Sequence, residues 1–211
     1  MTQSAIQSTY DQLAPVYAAR LPGFEREATI DLAALRWFVE LLPAAPMVLD
    51  AGCGTGRLMP ALKRLGCRVE GVDLSPIMVE QATRANPGDL VRQADIASLP
   101  HGDEELDGIV AWYSLIHHEP GDLESVLAEF HRVLVPGGAV CLAFQTGEGS
   151  HDIGEGFRPL GDDVSLLRHL FDTDTVAGAL TAQGFTVSLR LERAAQPGER
   201  DPQAIVIAAR D

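Results

Sequence analysis

The chain has 211 residues, of which 46% are hydrophobic and 22% are charged, a composition typical of one globular domain with a sizeable core. Acidic residues outnumber basic ones by 30 to 16, which gives a formal net charge of −14 at pH 7. Nucleic acids and anionic membranes are therefore not expected as partners, because their charge would repel the protein.

The cysteines and the first residues bear on the compartment. Cys53, Cys67 and Cys141 are odd in number and lack metal-ligand spacing, which predicts reduced, packed thiols. The opening residues 1–13 do not combine a basic region with an apolar one, so no signal peptide is predicted. No apolar run approaches the roughly 20 residues that span a bilayer. We therefore expect a soluble, cytoplasmic protein, as a monomer or a homodimer.

The apolar pattern predicts two helices at the start of the chain, over about 4–20 with a break or kink near Pro15 and over 25–42. Short apolar runs then alternate with amphipathic stretches, which predicts βαβ units and a mainly parallel sheet. The strands are predicted at 47–51, 68–73, 90–94, 107–112 and 139–144, and the helices between them at 57–65, 75–85 and 122–135.

The pattern changes after the fifth strand. Residues 145–163 are glycine-rich and aperiodic, which predicts a long loop, and loops of that length in a compact domain are commonly functional lids. A helix is predicted at about 172–183, and the runs at 185–194 and 204–210 predict a hairpin. No repeat or linker marks a second unit, so we expect one domain over residues 1–211.

A glycine turn follows the first predicted strand. In VLDAGCGTGRL (48–58) the strand runs into Gly52, Gly54 and Gly56, which gives the spacing G-x-G-x-G. A dinucleotide fingerprint instead needs G-x-G-x-x-G, whose third glycine allows close packing of helix and strand. Either kind of turn presents backbone N–H groups and a helix N-terminus to a nucleotide.

Acidic residues end the neighbouring strands and indicate which nucleotide binds. Asp73 ends the second strand, where a carboxylate can accept both hydroxyls of a ribose, and Asp95 follows the third strand. Asp50 lies where the pyrophosphate of a dinucleotide would add two negative charges, whereas an ammonium or sulfonium group would tolerate this carboxylate. The pattern therefore favours S-adenosylmethionine over NAD.

These segments resemble the class I S-adenosylmethionine-dependent methyltransferases of the small-molecule type. The matching stretches are VLDAGCGTGRL (48–58), VEGVDLSPIMVEQA (69–82), ADIASLP (94–100), LDGIVAWYSLIHHEP (106–120), LAEFHRVLVPGGAVCLAF (127–144) and the N-terminal YDQLAPVYAARL (10–21). The resemblance implies an α/β, Rossmann-like fold. Its seven-stranded mixed sheet would be mostly parallel with the last strand antiparallel, with helices on both faces and an N-terminal helical cap over residues 1–42.

The resemblance also implies a cofactor site. Asp50 would lie near the ammonium group of the cofactor, and Asp73 would bind its ribose hydroxyls. The other implied contacts are Gly52, Cys53, Gly54 and Gly56 in the methionyl loop, Leu74 and Met78 against adenine or ribose, Asp95 and Ile96 at the adenine, and Trp112, Tyr113 and Ser114 under the sulfonium.

Three further residues carry two interpretations each. Arg57 would pair with the carboxylate of the cofactor, or it is an exposed arginine at the start of a helix. Tyr10 and Tyr17 would close the site from above, or they are ordinary packing aromatics.

Candidate catalytic residues follow the fourth strand. His117 and His118 lie in SLIHHEP at the mouth of the cleft, and histidine titrates near working pH, so either is a candidate general base. The alternative is that these histidines only start a helix or pack. No metal site is predicted, because adjacent histidines rarely point at one ion and no further ligands have helpful spacing.

The sequence predicts an enzyme that transfers a methyl group from S-adenosylmethionine to a small molecule, with S-adenosylhomocysteine as the other product. The acceptor would contact residues 1–42 and a lid or substrate insert at 145–170, which contains His151, Phe157, Arg158 and His169. The methylated atom is left open. The alternatives are a catalytically silent, S-adenosylmethionine-binding regulatory protein and an NAD-dependent oxidoreductase.

Overall fold

The computed structural model describes residues 2–20, 23–24, 27–154 and 166–211. The helices are α1 Gln3–Arg20, α2 Thr29–Glu40, α3 Met59–Arg64, α4 Pro76–Ala85, α5 Leu123–Val133 and α6 Thr173–Ala182. The strands are β1 Met47–Ala51, β2 Arg68–Asp73, β3 Leu90–Gln93, β4 Leu106–Trp112, β5 Leu134–Gln145, β6 Ser150–Asp152, β7 Leu167–His169, β8 Phe185–Arg193 and β9 Gln203–Arg210. Within this part of the chain, no helix is long and apolar enough to cross a membrane.

The main sheet has seven strands in the order β3-β2-β1-β4-β5-β9-β8. The first five of these pair in parallel, whereas β9 is antiparallel to both of its neighbours, β5 and β8. This arrangement confirms the predicted Rossmann-like α/β fold. The strand order reverses between β1 and β4, and open parallel sheets bind ligands at the carboxyl ends of the strands at such a point.

Helices cover both faces of the sheet. One hydrophobic layer joins the sheet to α5 and α6 through residues such as Phe130 and Leu180, and the other joins it to α2 and α3 through Phe38 and Met59. Central strands therefore face apolar side chains on both sides, which explains why β4 is almost uniformly buried and apolar rather than alternating.

Helix α4 shows how local sequence sets a boundary next to the site. Ser75 is its N-cap, with the Ser75 side chain accepting a hydrogen bond from the Met78 amide at 3.1 Å, and Pro76 occupies the first turn. The predicted start of this helix at Ser75-Pro76 is therefore observed, and it places α4 directly after the end of β2.

Two expectations about secondary structure are corrected in part. Helix α1 is continuous over Gln3–Arg20, so of the predicted break or kink near Pro15 the break is wrong, since a proline removes only one backbone hydrogen bond and a side-chain contact to another element holds an earlier turn. The segment 145–163 is not entirely loop, because β5 continues to Gln145 and β6 pairs with β7 as a small antiparallel sheet. Strands of three residues are too short to show a period in the sequence.

A buried ion pair ties α2 to the β8–β9 hairpin. Arg193 donates to both carboxylate oxygens of Asp31, at 2.7 to 3.1 Å, and also to Glu199. Asp31 is only 1% exposed, so the arginine takes the place of the water that the buried carboxylate no longer contacts.

We expect Arg193→Ala to lower the free energy of unfolding by about 3 kcal/mol, because it leaves a buried carboxylate unpaired. Urea unfolding followed by circular dichroism measures this change. Arg190→Ala is the matched control, since the Arg190–Asp174 pair is largely exposed and contributes less than about 1 kcal/mol. Equal losses in the two variants would contradict the importance of burial.

Candidate active site

A cavity opens at the carboxyl ends of β1, β2 and β4 and encloses about 720 Å³, counting its open mouth. We call it the first cavity. The predicted residues that line it are Tyr10, Tyr17, Gly52, Gly54, Asp73, Leu74, Met78, Asp95, Ile96, Trp112, Tyr113, Ser114, His117 and His118. Gln3, Ile6 and Ala94 line it as well and were not predicted.

The glycine turn forms one wall of the first cavity. Gly52 has a φ of +78°, and a Cβ at this position would lie 2.3 Å from the Ser114 Cβ. Gly56 has a φ of +75°, and its Cβ would lie 2.4 Å from the Asn86 Nδ2 atom. Gly52 therefore allows β1 to approach the segment after β4, and Gly56 allows the turn to pack on α4. Gly56 and Cys53 lie outside the lining itself.

Asp73 is held at the end of β2 by backbone donors. Its carboxylate accepts hydrogen bonds from the Gly54 amide at 2.8 Å and the Ser75 amide at 2.9 Å. Burial raises the pKa of Asp73 to about 6, and these backbone hydrogen bonds oppose the shift. The carboxylate is thus fixed in position, with lone pairs left for donors in the first cavity.

Asp50 lies behind the glycine turn rather than in the lining, and it is 2% exposed. Its Oδ2 atom has no hydrogen-bond partner among the described residues. Burial raises the pKa of Asp50 to about 7, with Arg57 lowering it and Asp73 raising it further. A buried carboxylate oxygen without a partner is costly, and a cationic donor would relieve that cost.

The opposite end of the first cavity is formed by Asp95. This carboxylate accepts from the Ala97 amide at 2.9 Å and from the side-chain amide of Gln3 in α1. His118 lines this end, and burial lowers its pKa while the charges of Asp95 and Asp122 oppose the shift. His118 therefore lies on the side predicted for adenine.

Helix α1 roofs the first cavity. Tyr10 and Tyr17 meet edge to face with ring centroids 6.4 Å apart, and both line the cavity. The Ser75 hydroxyl, at the start of α4, donates a hydrogen bond to the Asp11 carboxylate of α1 at 2.5 Å and so holds α1 over the cavity. The predicted closure from above thus has a geometric basis, and direct contact with a cofactor stays a prediction.

A second cavity adjoins the first and encloses about 1530 Å³, counting open solvent. It shares Tyr10, Tyr17, Tyr113 and His117 with the first cavity. Its remaining walls come from the connection between α1 and α2, the end of the glycine turn, the segment around β6 and β7, and the β8–β9 hairpin. The residues of these walls include Glu27, Arg57, Gln145, Ile153, Leu166, Arg168, Glu199 and Arg200.

Arg57 lies in this second cavity, where it forms an ion pair with Glu27 at 2.6 Å. Glu27 also accepts a hydrogen bond from the Trp112 indole at 3.3 Å. Arg57 is thus neither exposed nor free in this structure, and its contact with a cofactor carboxylate stays a prediction. Glu27 was not predicted as a site residue: it falls in the helix predicted over 25–42, whereas the observed α2 begins only at Thr29.

His117 lies at the junction of the two cavities and is 8% exposed. Its Nδ1 atom is 2.8 Å from the carbonyl oxygen of Leu167, and its Nε2 atom is 2.5 Å from the hydroxyl oxygen of Tyr10. Burial lowers the pKa of His117 to about 4, against the raising effect of the Leu167 carbonyl. The imidazole is therefore neutral at working pH.

Of the remaining candidate residues of the insert, the structure describes His151 and His169. His151 contacts Asp201 at 3.3 Å, and His169 lies in β7. Phe157 and Arg158 lie outside the described residues. Across the ranges that the structure describes, no group of three His, Cys, Asp or Glu residues could hold a metal ion.

Comparison with known proteins defines the class. A family model described as a methyltransferase domain matches residues 48–138, which contain the glycine turn, Asp73, Asp95 and both candidate histidines. An uncharacterised methyltransferase of Oceanobacillus iheyensis is 32% identical over 152 residues, which cover 68% of this chain and 70% of that protein. The chain belongs to the class I S-adenosylmethionine-dependent methyltransferase family, as its sequence predicted.

Two further proteins show where the likeness ends. The malonyl-acyl-carrier-protein O-methyltransferase of Salmonella typhimurium is 34% identical over 148 residues, which cover 69% of this chain and 55% of that protein. The chain thus spans about half the length of the first curated relatives it matches. Magnesium protoporphyrin IX methyltransferase from Synechocystis, solved with bound S-adenosylhomocysteine, shares the fold with a TM-score of 0.74 over 100% of both chains, at 17% identity.

Proposed function

We propose that this protein transfers a methyl group from S-adenosylmethionine to a small-molecule acceptor. The observation that carries the proposal is the junction of the two cavities, where Tyr10, Tyr17, Tyr113 and His117 line both. A donor in the first cavity and an acceptor in the second would meet at these four residues. Such an arrangement supplies the proximity and orientation on which a two-substrate displacement depends.

Residues in the first cavity and next to it fit the cofactor. The unpartnered Oδ2 atom of Asp50 suits an ammonium group, and the fixed carboxylate of Asp73 suits a pair of ribose hydroxyls. When bound, S-adenosylmethionine supplies an electrophilic methyl group on a sulfonium. The protein then has to orient the acceptor, exclude water and remove any proton that the acceptor loses.

Exclusion of water falls to the roof and the walls. Helix α1 covers the first cavity with Ile6, Tyr10 and Tyr17, and the edge-to-face pair of Trp112 and Phe24 closes the side next to Arg57. Tyr113 is held at the junction in a left-handed conformation with a φ of +60°, which costs backbone strain in a non-glycine residue. In this backbone conformation the Tyr113 side chain lines both cavities.

Of the two histidines, His117 is the better placed to take up, directly or through a neighbour, the proton that the acceptor loses. His117 lines both cavities, whereas His118 lines only the first, beside Asp95. The low pKa of His117 keeps its imidazole unprotonated and able to accept a proton above about pH 4. His118 is better placed to contact adenine.

The test is incubation of the purified protein with methyl-labelled S-adenosylmethionine and fractionated bacterial metabolites, followed by mass spectrometry. A malonylated carrier protein forms a separate arm, because one curated relative is named for that acceptor. We expect label in a small molecule. Label in the carrier-protein arm alone would replace the small-molecule acceptor with a carrier-bound one. Binding of S-adenosylhomocysteine without any labelled product would favour a silent regulatory protein.

A further inference from the structure

Tyr10 and His117 form a hydrogen-bonded pair at the junction of the two cavities. Tyr10 comes from α1, and His117 ends the short 3₁₀ turn after β4, so the pair joins residues 107 positions apart. Both side chains line the first and the second cavity. The pair is therefore within reach of whatever lies between them.

The partners of the imidazole fix its protonation. The Leu167 carbonyl oxygen, 2.8 Å from His117 Nδ1, can only accept, so Nδ1 carries the hydrogen. In the neutral ring Nε2 is then an acceptor, and it receives the Tyr10 hydroxyl hydrogen over 2.5 Å. This arrangement occupies the proton-accepting nitrogen and leaves lone pairs on the Tyr10 oxygen, beside the cavities.

We propose that the Tyr10 hydroxyl, rather than His117 itself, removes the proton of the methyl acceptor and passes its own proton to His117. The inference rests on the proposed function and names its acceptor class, a molecule whose hydroxyl or ammonium group must lose a proton. A carboxylate acceptor is already ionised and would not need this pair.

Atoms and charges balance in this step. The acceptor's X–H bond breaks, and its electron pair stays on X for the new bond to carbon. The hydrogen bonds to the Tyr10 oxygen while the Tyr10 O–H bond breaks, and that second hydrogen bonds to His117 Nε2. The imidazole gains one positive charge, which matches the positive charge that the methyl donor loses.

Neighbouring groups keep the resting pair in the required state. His118, His169 and Arg168 face the imidazole and disfavour its protonation. Tyr17 and Asp73 face the Tyr10 ring and disfavour loss of its proton, in addition to burial. The pair therefore stays neutral until a proton arrives from the acceptor, and the Leu167 carbonyl stabilises the imidazolium that follows.

The first readout needs no acceptor. Nitrogen-15 spectra of the histidine rings, recorded on the protein saturated with S-adenosylhomocysteine, are expected to show His117 as the Nδ1–H tautomer, without titration between pH 5 and 9. Tyr10→Phe is expected to shift the His117 Nε2 resonance, and His131→Gln, in α5 where the ring contacts Phe185, is expected to leave it unchanged. An Nε2–H tautomer would overturn the inference.

The second readout is the pH profile of label transfer to catechol and to the metabolite fractions. With S-adenosylmethionine saturating at every pH, the wild-type kcat/KM for the acceptor is expected to be flat from pH 6 to 9. Tyr10→Phe and His117→Gln are expected to be about 100-fold slower at pH 7 and to gain nearly tenfold per pH unit, because the acceptor must then ionise unaided. His131→Gln is expected to keep the wild-type profile.

The proposed methyl transfer and the role of Tyr10 in it can be disproved independently. If the wild type binds S-adenosylhomocysteine and transfers label to nothing, the proposed function fails and the proton transfer fails with it. If the wild type transfers label and Tyr10→Phe is as fast with the same profile, only the role of Tyr10 is overturned.

Discussion

Gly52→Ala is expected to abolish measurable binding of S-adenosylhomocysteine and to lower the free energy of unfolding by about 3 kcal/mol. Two penalties add at this position. The backbone φ of +78° disfavours any side chain by about 1–2 kcal/mol, and the new Cβ would lie 2.3 Å from the Ser114 Cβ. Relief of that overlap moves either the glycine turn or the segment after β4, and both line the first cavity.

Gly88→Ala is the control that separates backbone strain from steric overlap. Gly88 has a φ of +95°, and a Cβ added there would have no atom beyond its chain neighbours within 4 Å, so the substitution adds backbone strain alone. We expect it to cost about 1 kcal/mol and to leave the dissociation constant unchanged. Urea unfolding and isothermal titration calorimetry give the two quantities. Binding by Gly52→Ala with wild-type affinity would contradict the close approach of β1 and β4 as a requirement of the site.

Asp50→Asn is expected to raise the dissociation constant for S-adenosylhomocysteine about 100-fold at pH 8. The substitution keeps the shape of the side chain and removes the negative charge that would face the ammonium group. A hydrogen bond to a charged group contributes about 1.5–3 kcal/mol, and each 1.4 kcal/mol changes the dissociation constant tenfold.

The pH dependence of binding tests whether Asp50 is the carboxylate that faces the ammonium group. Its pKa is raised to about 7, so near neutral pH part of the free protein carries the neutral acid. An ammonium ligand binds the ionised form, so binding releases protons near pH 7, and affinity falls as the pH drops below 7. Asp50→Asn should lose the proton release centred near pH 7 and keep only the part due to Asp73, whose pKa is about 6. Calorimetry in buffers of different ionisation enthalpy measures the released protons, and equal release by variant and wild type would refute this role.

The same shift predicts the stability of the free protein. A carboxyl group whose pKa is higher in the folded than in the unfolded state stabilises the fold at low pH. That contribution is lost as the pH rises from about 4 through the folded pKa of about 7. Asp50→Asn should therefore flatten the dependence of the free energy of unfolding on pH in this range. A variant with the wild-type slope would contradict the raised pKa.

Much of the fold follows from local signals. Strands β1 and β2 have the predicted bounds, because β1 runs into the glycine turn at Gly52 and β2 is followed closely by Ser75-Pro76, which begins α4. Asp50 and Asp73 could be proposed as site residues because strand ends in a parallel sheet meet at one edge, and the structure brings Asp73 into the lining of the first cavity.

The rest of the site depends on contacts that leave no local trace. The Tyr10–His117 hydrogen bond spans 107 positions, and the Gln3–Asp95 contact spans 92. The Arg57–Glu27 pair lies beside a cavity whose walls come from five separate parts of the chain. Gln3, Tyr10 and Tyr17 do share one face of α1 at helical spacing, a signal for the roof that was present in the sequence.

We expect S-adenosylmethionine and its product to bind in the first cavity, against Trp112. The chain has two tryptophans, and Trp37 is an exposed residue of α2, so in Trp37→Phe all tryptophan emission comes from Trp112. Titration of this variant with S-adenosylhomocysteine, followed by fluorescence, is expected to give a saturable change at one ligand per chain. Calorimetric binding with unchanged Trp112 emission, or no binding at all, would contradict the placement of the cofactor.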